Sequence, residues 1–323
     1  MPVNYTNPVW PDYFADPFVL RWQRYYYAYG TGGPEASGGT PRSRVFPVLR
    51  SRNLADWESV ACALEVEGDH LPAFWAPEVA ERNGRFYLFF SAGGAEGAGQ
   101  RLRVATADTP LGPFRDGGRL LLPDEPFSID ASPFRDPVDG RWYLFFAKDF
   151  LDGRVGTGVA VAPLADDMGS ITATPRTAIR ATADWQIYQR GRRWSGRVWD
   201  AWHTVEGPSV VVHEGRYYCF YSGGRWSSSG YGVGFGVADN AMGPYVDPHA
   251  QDGPSVLRGR AGFAVGPGHN SVILAPDGET AFAVYHAWDP ARTARRMFID
   301  PILWSAEGPR IVGPSRGGTV PGA

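Results

Sequence analysis

Dense runs of aromatic and aliphatic residues, each entered through a short turn, recur five times along the chain. They are Tyr25-Tyr26-Tyr27-Ala28-Tyr29, Phe86-Tyr87-Leu88-Phe89-Phe90, Trp142-Tyr143-Leu144-Phe145-Phe146, Tyr217-Tyr218-Cys219-Phe220-Tyr221 and Ala281-Phe282-Ala283-Val284-Tyr285. Runs this short, bounded by turns such as Arg82-Asn83-Gly84-Arg85 and Val138-Asp139-Gly140-Arg141, predict the second strand of a hairpin. A third strand is expected over Leu102–Ala107, Gly158–Ala162 and Gly232–Ala238. The loops Leu111-Gly112-Pro113-Phe114 and Met242-Gly243-Pro244-Tyr245 share a Gly-Pro-aromatic turn, as copies of one unit would. No useful stretch has an apolar period of 3.6, and 41 Gly with 28 Pro favour turns over helices.

A short polar or acidic signature precedes each aromatic run. The five are Ala15-Asp16-Pro17-Phe18, Trp75-Ala76-Pro77-Glu78-Val79, Ile129-Asp130-Ala131-Ser132-Pro133, Val205-Glu206-Gly207-Pro208 and Gly268-His269-Asn270-Ser271. Taking Asp16, Glu78, Asp130, Glu206 and Asn270 as equivalent, the repeats are 62, 52, 76 and 64 residues apart. That is too long for a solenoid turn and suits one four-stranded blade with its loops. The expectation is an all-β chain forming a single five-bladed β-propeller over residues 1–323; a large β-sandwich is the alternative.

Charge and composition narrow the function. A net charge of −3 and no run of like charge give no field for nucleic acid. No apolar stretch is long enough to span a bilayer, and the first residues lack the features of a signal peptide, so a cytoplasmic location is expected. Cys62 and Cys219 match no metal-ligand spacing and read as free thiols. Aromatic residues reach 14%, with 12 Trp, enough both to fill blade interfaces and to offer flat faces to sugar rings.

A propeller brings equivalent positions of its blades to one mouth of its channel, so Asp16, Asp130 and Glu206 should converge. Glycosidic bond cleavage needs two carboxyl groups, one ionised and one protonated, set about 5 to 5.5 Å apart for retention or about 6.5 to 9.5 Å for inversion. A third carboxylate nearby raises the pKa of the acid by like-charge repulsion. Any one of the three acids, alone at a turn, is as readily an ordinary cap. Asp136, Asp139 and Glu214 lie at hairpin turns and are expected to be solvated.

These five signatures, in this order and across nearly the whole chain, resemble glycoside hydrolase family 43, five-bladed propeller enzymes acting on arabinose- and xylose-containing glycans. The resemblance implies Asp16 as the general base that activates water, Glu206 as the general acid and Asp130 as the tuner of the acid's pKa, with inversion at the anomeric carbon. It implies that Arg295, within Arg295-Arg296-Met297-Phe298-Ile299-Asp300, reaches sugar hydroxyls. His269 would sit near the channel axis, where some members bind hydrated calcium. No cofactor is required, and an ion at His269 would be structural and held through water, since one imidazole makes a poor cage for a hard cation. Trp75 is the expected sugar-stacking platform. Glu78 has no catalytic counterpart, and a hydrogen bond to an inner strand or to substrate is its expected use.

The longest period, from Asp130 to Glu206, carries Trp185, Trp194, Trp199, Trp202 and Arg190-Gly191-Arg192-Arg193, and is expected to rise beside the site. A Gly-rich loop from Gly30 to Thr40 is expected to form a rim. Together they suggest a closed pocket and exo action. The lack of room after the fifth repeat for an appended β-sandwich favours an α-L-arabinofuranosidase over a β-D-xylosidase, acting on pentose-containing oligosaccharides. A non-catalytic carbohydrate-binding propeller would have lost the base or the acid, and a phosphorylase would need a basic phosphate pocket, for which Arg190, Arg192 and Arg193 are the one cluster.

Overall fold

The aromatic runs are apolar at every position because both faces of those strands are buried. In a computed structural model, described for residues 1–32, 44–66, 73–94, 99–194 and 196–322, Tyr27 and Tyr29 pack toward the second blade while Tyr26 and Ala28 pack toward the fifth. Leu144 and Phe146 likewise face the second blade, and Tyr143 and Phe145 the fourth. Side chains alternate across a strand, so a sheet wedged between two others reads as an unbroken hydrophobic run. Five apolar clusters, one at each blade junction, make up the core among the described residues.

The protein is a five-bladed β-propeller, and its blades begin with Ala15–Trp22, Ala73–Arg82, Ser128–Arg135, Val205–His213 and Val265–Leu274. Each pairs antiparallel with the aromatic strand that follows it. Blades one and two are joined into one eight-stranded sheet by a short parallel pairing of Leu64 with Phe114. Helical structure among the described residues is confined to two 3-10 turns, Asp184–Gln186 and Ala250–Asp252, and none of it is long enough to cross a membrane. The ring closes where Val3–Thr6 pairs with Gly317–Val320. Beneath that pairing the buried Asp300 carboxylate accepts hydrogen bonds from Tyr5 Oη at 3.1 Å and Tyr285 Oη at 2.6 Å, and Asn7 Nδ2 donates to Ile299 O at 2.8 Å.

Each first strand carries a two-residue β-bulge, and the bulges correct the expected alignment of the repeats. The pairing breaks after Ala15, Trp75, Ile129, Glu206 and Gly268, and the next residue has positive φ in every blade: Asp16 49°, Ala76 48°, Asp130 58°, Gly207 57° and His269 50°. The equivalent set is therefore Asp16, Ala76, Asp130, Gly207 and His269. Glu78 lies two residues beyond it, Glu206 one before and Asn270 one after. A bulge re-aims side chains without changing the apolar pattern around it, so the repeat spacing alone does not locate it.

The bulges are tied from blade to blade by one recurring bond. The residue opposite each break, on the second strand, accepts the bulge N–H of the next blade. Thr31 Oγ1 accepts from Ala76 at 2.9 Å, Ser91 Oγ from Asp130 at 3.0 Å, Ser222 Oγ from His269 at 2.7 Å and His286 Nδ1 from Asp16 at 3.1 Å. In the third blade this position is Ala147, which has no acceptor, and the Asp130 carboxylate takes its place by accepting the Gly207 N–H at 2.9 Å.

Of the remaining expectations, Asp139 and Glu214 are exposed at turns. Asp136 is not: it is buried and accepts hydrogen bonds from Tyr217 Oη at 2.8 Å and from the Val138 N–H at 2.8 Å. Cys219 is a buried thiol and Cys62 is half-buried opposite Pro47. The Gly-rich segment expected as a rim falls largely at 33–43, outside the described residues.

Candidate active site

The bulges face a cavity of about 680 Å³ lined by Asp16, Trp75, Asp130, Glu206, His269 and Arg295 among others. Two rings of positions supply these side chains. Where the bulge residue is small, as at Ala76 and Gly207, the preceding residue reaches the cavity as Trp75 or Glu206; where it is Asp130, the preceding residue is Ile129. Gly207 cannot be replaced freely: its φ is in the left-handed region, and a Cβ there would meet the His269 ring at 3.1 Å. A Cβ on Gly268 would run into the Tyr231 ring.

Asp16 is ringed by nitrogen. Arg295 Nη1 donates to its Oδ1 at 3.1 Å, with His286 Nδ1 at 3.3 Å and His269 Nδ1 at 3.5 Å from the same oxygen, and Thr31 Oγ1 donates to Oδ2 at 2.7 Å. Burial by itself would raise this carboxyl; Arg295 first, then His269, hold it well below the usual carboxylate range. Tyr13 Oη accepts from Arg295 Nη2 at 2.7 Å and fixes the guanidinium. Burial lowers His286 to about 4, so its ring is neutral near pH 7 and free to accept the Asp16 amide.

Glu206 has the opposite environment. Burial, and then the charge of Asp130, pushes its carboxyl up to about 8, and the hydrogen bond from Tyr231 Oη to Oε1, 2.8 Å long, only partly offsets them. Tyr231 is itself fully buried and stacks at 8° on the His286 ring, so the donor to Glu206 and the acceptor for Asp16 brace each other. Burial also raises Asp130, whose charge is further disfavoured by Asp16 and favoured by His269 and the Gly207 amide. Near neutral pH the cavity thus holds an ionised carboxylate at Asp16 and a protonated carboxyl at Glu206, the charge pair that glycosidic cleavage uses.

Six of the seven sequence-predicted residues line the cavity. The seventh, Glu78, is not among its lining residues; its carboxyl bonds to Ser132 and is held well above the usual range by burial and by the charge of Asp130. Among the described residues no group of three or more His, Cys, Asp or Glu side chains is spaced to hold a metal. His269 turns Nδ1 toward Asp16, beside the Arg295 cation, which is a poor fit to a directly ligated calcium. No step below is routed through an ion.

Several site residues went unread in the sequence. Thr31, Ser91, Ala147, Ser222 and His286 form one column, three or four residues past the middle of each aromatic run, and that column was the available signal. Tyr231 and Tyr13 had none, because their partners are remote in sequence. The long insertion forms a hairpin of Ile187–Trp194 and Arg197–His203 added to the third blade, and it does reach the cavity with Tyr188, Arg192, Trp194 and Trp202. Trp185 instead stacks on Tyr221, and Trp199 packs on Trp202. Trp226, 37% exposed and stacked on Trp288, adds a second open aromatic face at the mouth.

A five-bladed propeller with oppositely charged-state carboxyls in one central cavity is the architecture of a glycoside-cleaving enzyme. The model of glycosyl hydrolases family 43 matches residues 5–309, and the chain belongs to that family: it is a glycoside hydrolase. A thermostable family-43 glycoside hydrolase of known crystal structure is 33% identical, with 97% of each chain covered and a TM-score of 0.81. An endo-1,4-β-xylanase from Bacteroides thetaiotaomicron is 32% identical, with 98% of each chain covered and a TM-score of 0.76. Among curated proteins, a β-D-galactofuranosidase of Aspergillus niger is 29% identical over 94% of this chain and 83% of its own length. An extracellular exo-α-(1→5)-L-arabinofuranosidase of Streptomyces avermitilis is 26% identical over 95% of this chain, which spans 62% of that relative.

Proposed function

We propose that the protein is an inverting, exo-acting α-L-arabinofuranosidase that releases arabinose from arabinose-containing oligosaccharides. The observation that carries this reading is the split between Asp16, held ionised by Arg295, and Glu206, held protonated to about pH 8, on one cavity. Asp16 takes a proton from water as the water oxygen bonds to the anomeric carbon. The bond from that carbon to the leaving oxygen breaks, and Glu206 gives its proton to that oxygen. Asp130 remains close by to keep Glu206 protonated before the step. The cycle leaves Asp16 protonated and Glu206 ionised, and exchange with solvent restores them. Trp75 and Trp226 offer the faces on which a sugar ring can stack, and a cavity of about 680 Å³ suits a short oligosaccharide.

A second reading is a β-D-galactofuranosidase, favoured by the Aspergillus niger relative. β-D-Galactofuranose shares the ring configuration of α-L-arabinofuranose and differs by a longer chain on C4, so one catalytic constellation serves both. A β-D-xylosidase is the third, with the xylanase neighbour in its favour. Hydrolysis of the para-nitrophenyl α-L-arabinofuranoside, β-D-galactofuranoside and β-D-xyloside side by side, with Asp16→Ala as control, ranks them. The arabinofuranoside is expected to be cleaved fastest; faster cleavage of either other glycoside would replace the reading, and activity surviving in the control would remove the mechanism.

A further inference from the structure

The wall of the cavity next to Glu206 is basic as well as aromatic. The Arg192 guanidinium lies 5.1 Å from the centre of the Tyr188 ring, 4.9 Å from that of Trp194 and 4.8 Å from that of Trp202. Across the mouth, the Arg225 guanidinium lies 5.7 Å from the centre of the same Tyr188 ring. Both arginines line the cavity, and among the described residues neither forms an ion pair. Arg225 Nε donates to Ser227 Oγ at 3.0 Å, and the remaining edge N–H groups of the two stacked guanidinium groups are left to form planar forks matched to a carboxylate.

Other cations nearby are already matched. Lys148 pairs with Glu125, and Arg154 and Arg190 share Asp184. The one carboxyl on the wall itself is Asp149, which accepts from Trp194 Nε1 at 3.2 Å and which burial, partly offset by the charge of Arg192, pushes up to about 6. Arg192 and Arg225 therefore outnumber it, and two like charges close to one tyrosine ring favour an anion bound beside that ring.

The side of the cavity matters. This step rests on the reading of Glu206 as the acid: the leaving oxygen must lie beside Glu206, so the sugar that departs occupies the wall formed by the inserted hairpin and Arg225. We infer that this wall is a leaving-group subsite for an acidic sugar, a hexuronic acid whose carboxylate is forked by Arg192 and Arg225 while its ring lies against Tyr188. The natural substrate would then be a furanosyl unit attached to a uronic-acid-bearing oligosaccharide.

Binding tests this independently of turnover. Titration of the wild-type protein with methyl β-D-glucuronide and methyl β-D-glucoside at low salt, followed by calorimetry, is expected to show the glucuronide bound about tenfold or more tightly. Arg225→Gln, on an exposed segment, and Arg192→Gln should each cut that excess, and the double variant should abolish it; Arg192→Lys should keep part of it. Equal affinities, or an excess that survives in the double variant, would overturn the subsite. Selective glucuronide binding by a protein that cleaves no furanoside would sink the proposed activity and leave the subsite standing, whereas furanoside cleavage without selectivity would do the reverse.

Discussion

The hydroxyl of Tyr231 donates a 2.8 Å hydrogen bond to Oε1 of Glu206, from a ring stacked on the imidazole that accepts the amide of Asp16. One buried aromatic thus touches the supports of both carboxyls that the proposed reaction uses. Because a hydrogen bond to the ionised form favours it, Tyr231 lowers a pKa that burial and Asp130 raise.

Tyr231→Phe removes that bond and little volume. The alkaline limb of kcat, set by loss of the Glu206 proton, should move above pH 8, and kcat should fall by about tenfold as the acid loses its orientation. A pH–rate profile from pH 4 to 10 reads both. A limb that stays put or moves down would show that Tyr231 only fills space.

Asp130→Asn tests the opposite contribution. The amide oxygen can still accept from Gly207, but the charge that raises Glu206 is gone, so the alkaline limb should fall below pH 8. The same profile distinguishes the two variants by the sign of the shift. An unmoved limb would mean that burial alone sets the acid.

The base and the acid should respond differently to the leaving group. Asp16→Ala is expected to cost about 10³-fold or more in kcat on every substrate. Glu206→Ala should cost as much on oligosaccharides and far less on a 2,4-dinitrophenyl glycoside, whose leaving group needs no proton. Proton NMR of the first sugar released should show the inverted anomer; a retained anomer would exclude single displacement.

Glu206 should also cost stability. Its folded pKa, about 8, lies above the ordinary 4.5, so the native state holds the extra proton and stability falls as pH rises between those values. Glu206→Gln carries no such penalty. Its Tm should exceed that of the wild type by a margin that grows from pH 4.5 and reaches roughly 7 °C at pH 8. A margin that is constant with pH would point to packing instead.

Much of this was readable from residues in a row. The doubly buried aromatic strands announce themselves because both faces pack, and Asp16, Asp130 and Glu206 stand out because short acidic signatures repeat before them. Local order, turn chemistry and the blade count follow from such patterns. The register did not. A bulge adds a residue without disturbing the apolar alternation, so the chain alone placed Glu78, Glu206 and Asn270 in a column that belongs to Ala76, Gly207 and His269. Nor could spacing reveal that Ala147, by lacking an acceptor, leaves the Gly207 amide to Asp130, or that Arg295 and His286 converge on a carboxylate some 270 residues earlier. Charge states arise from what surrounds a group in space, and in a closed ring those neighbours come from blades far apart in sequence.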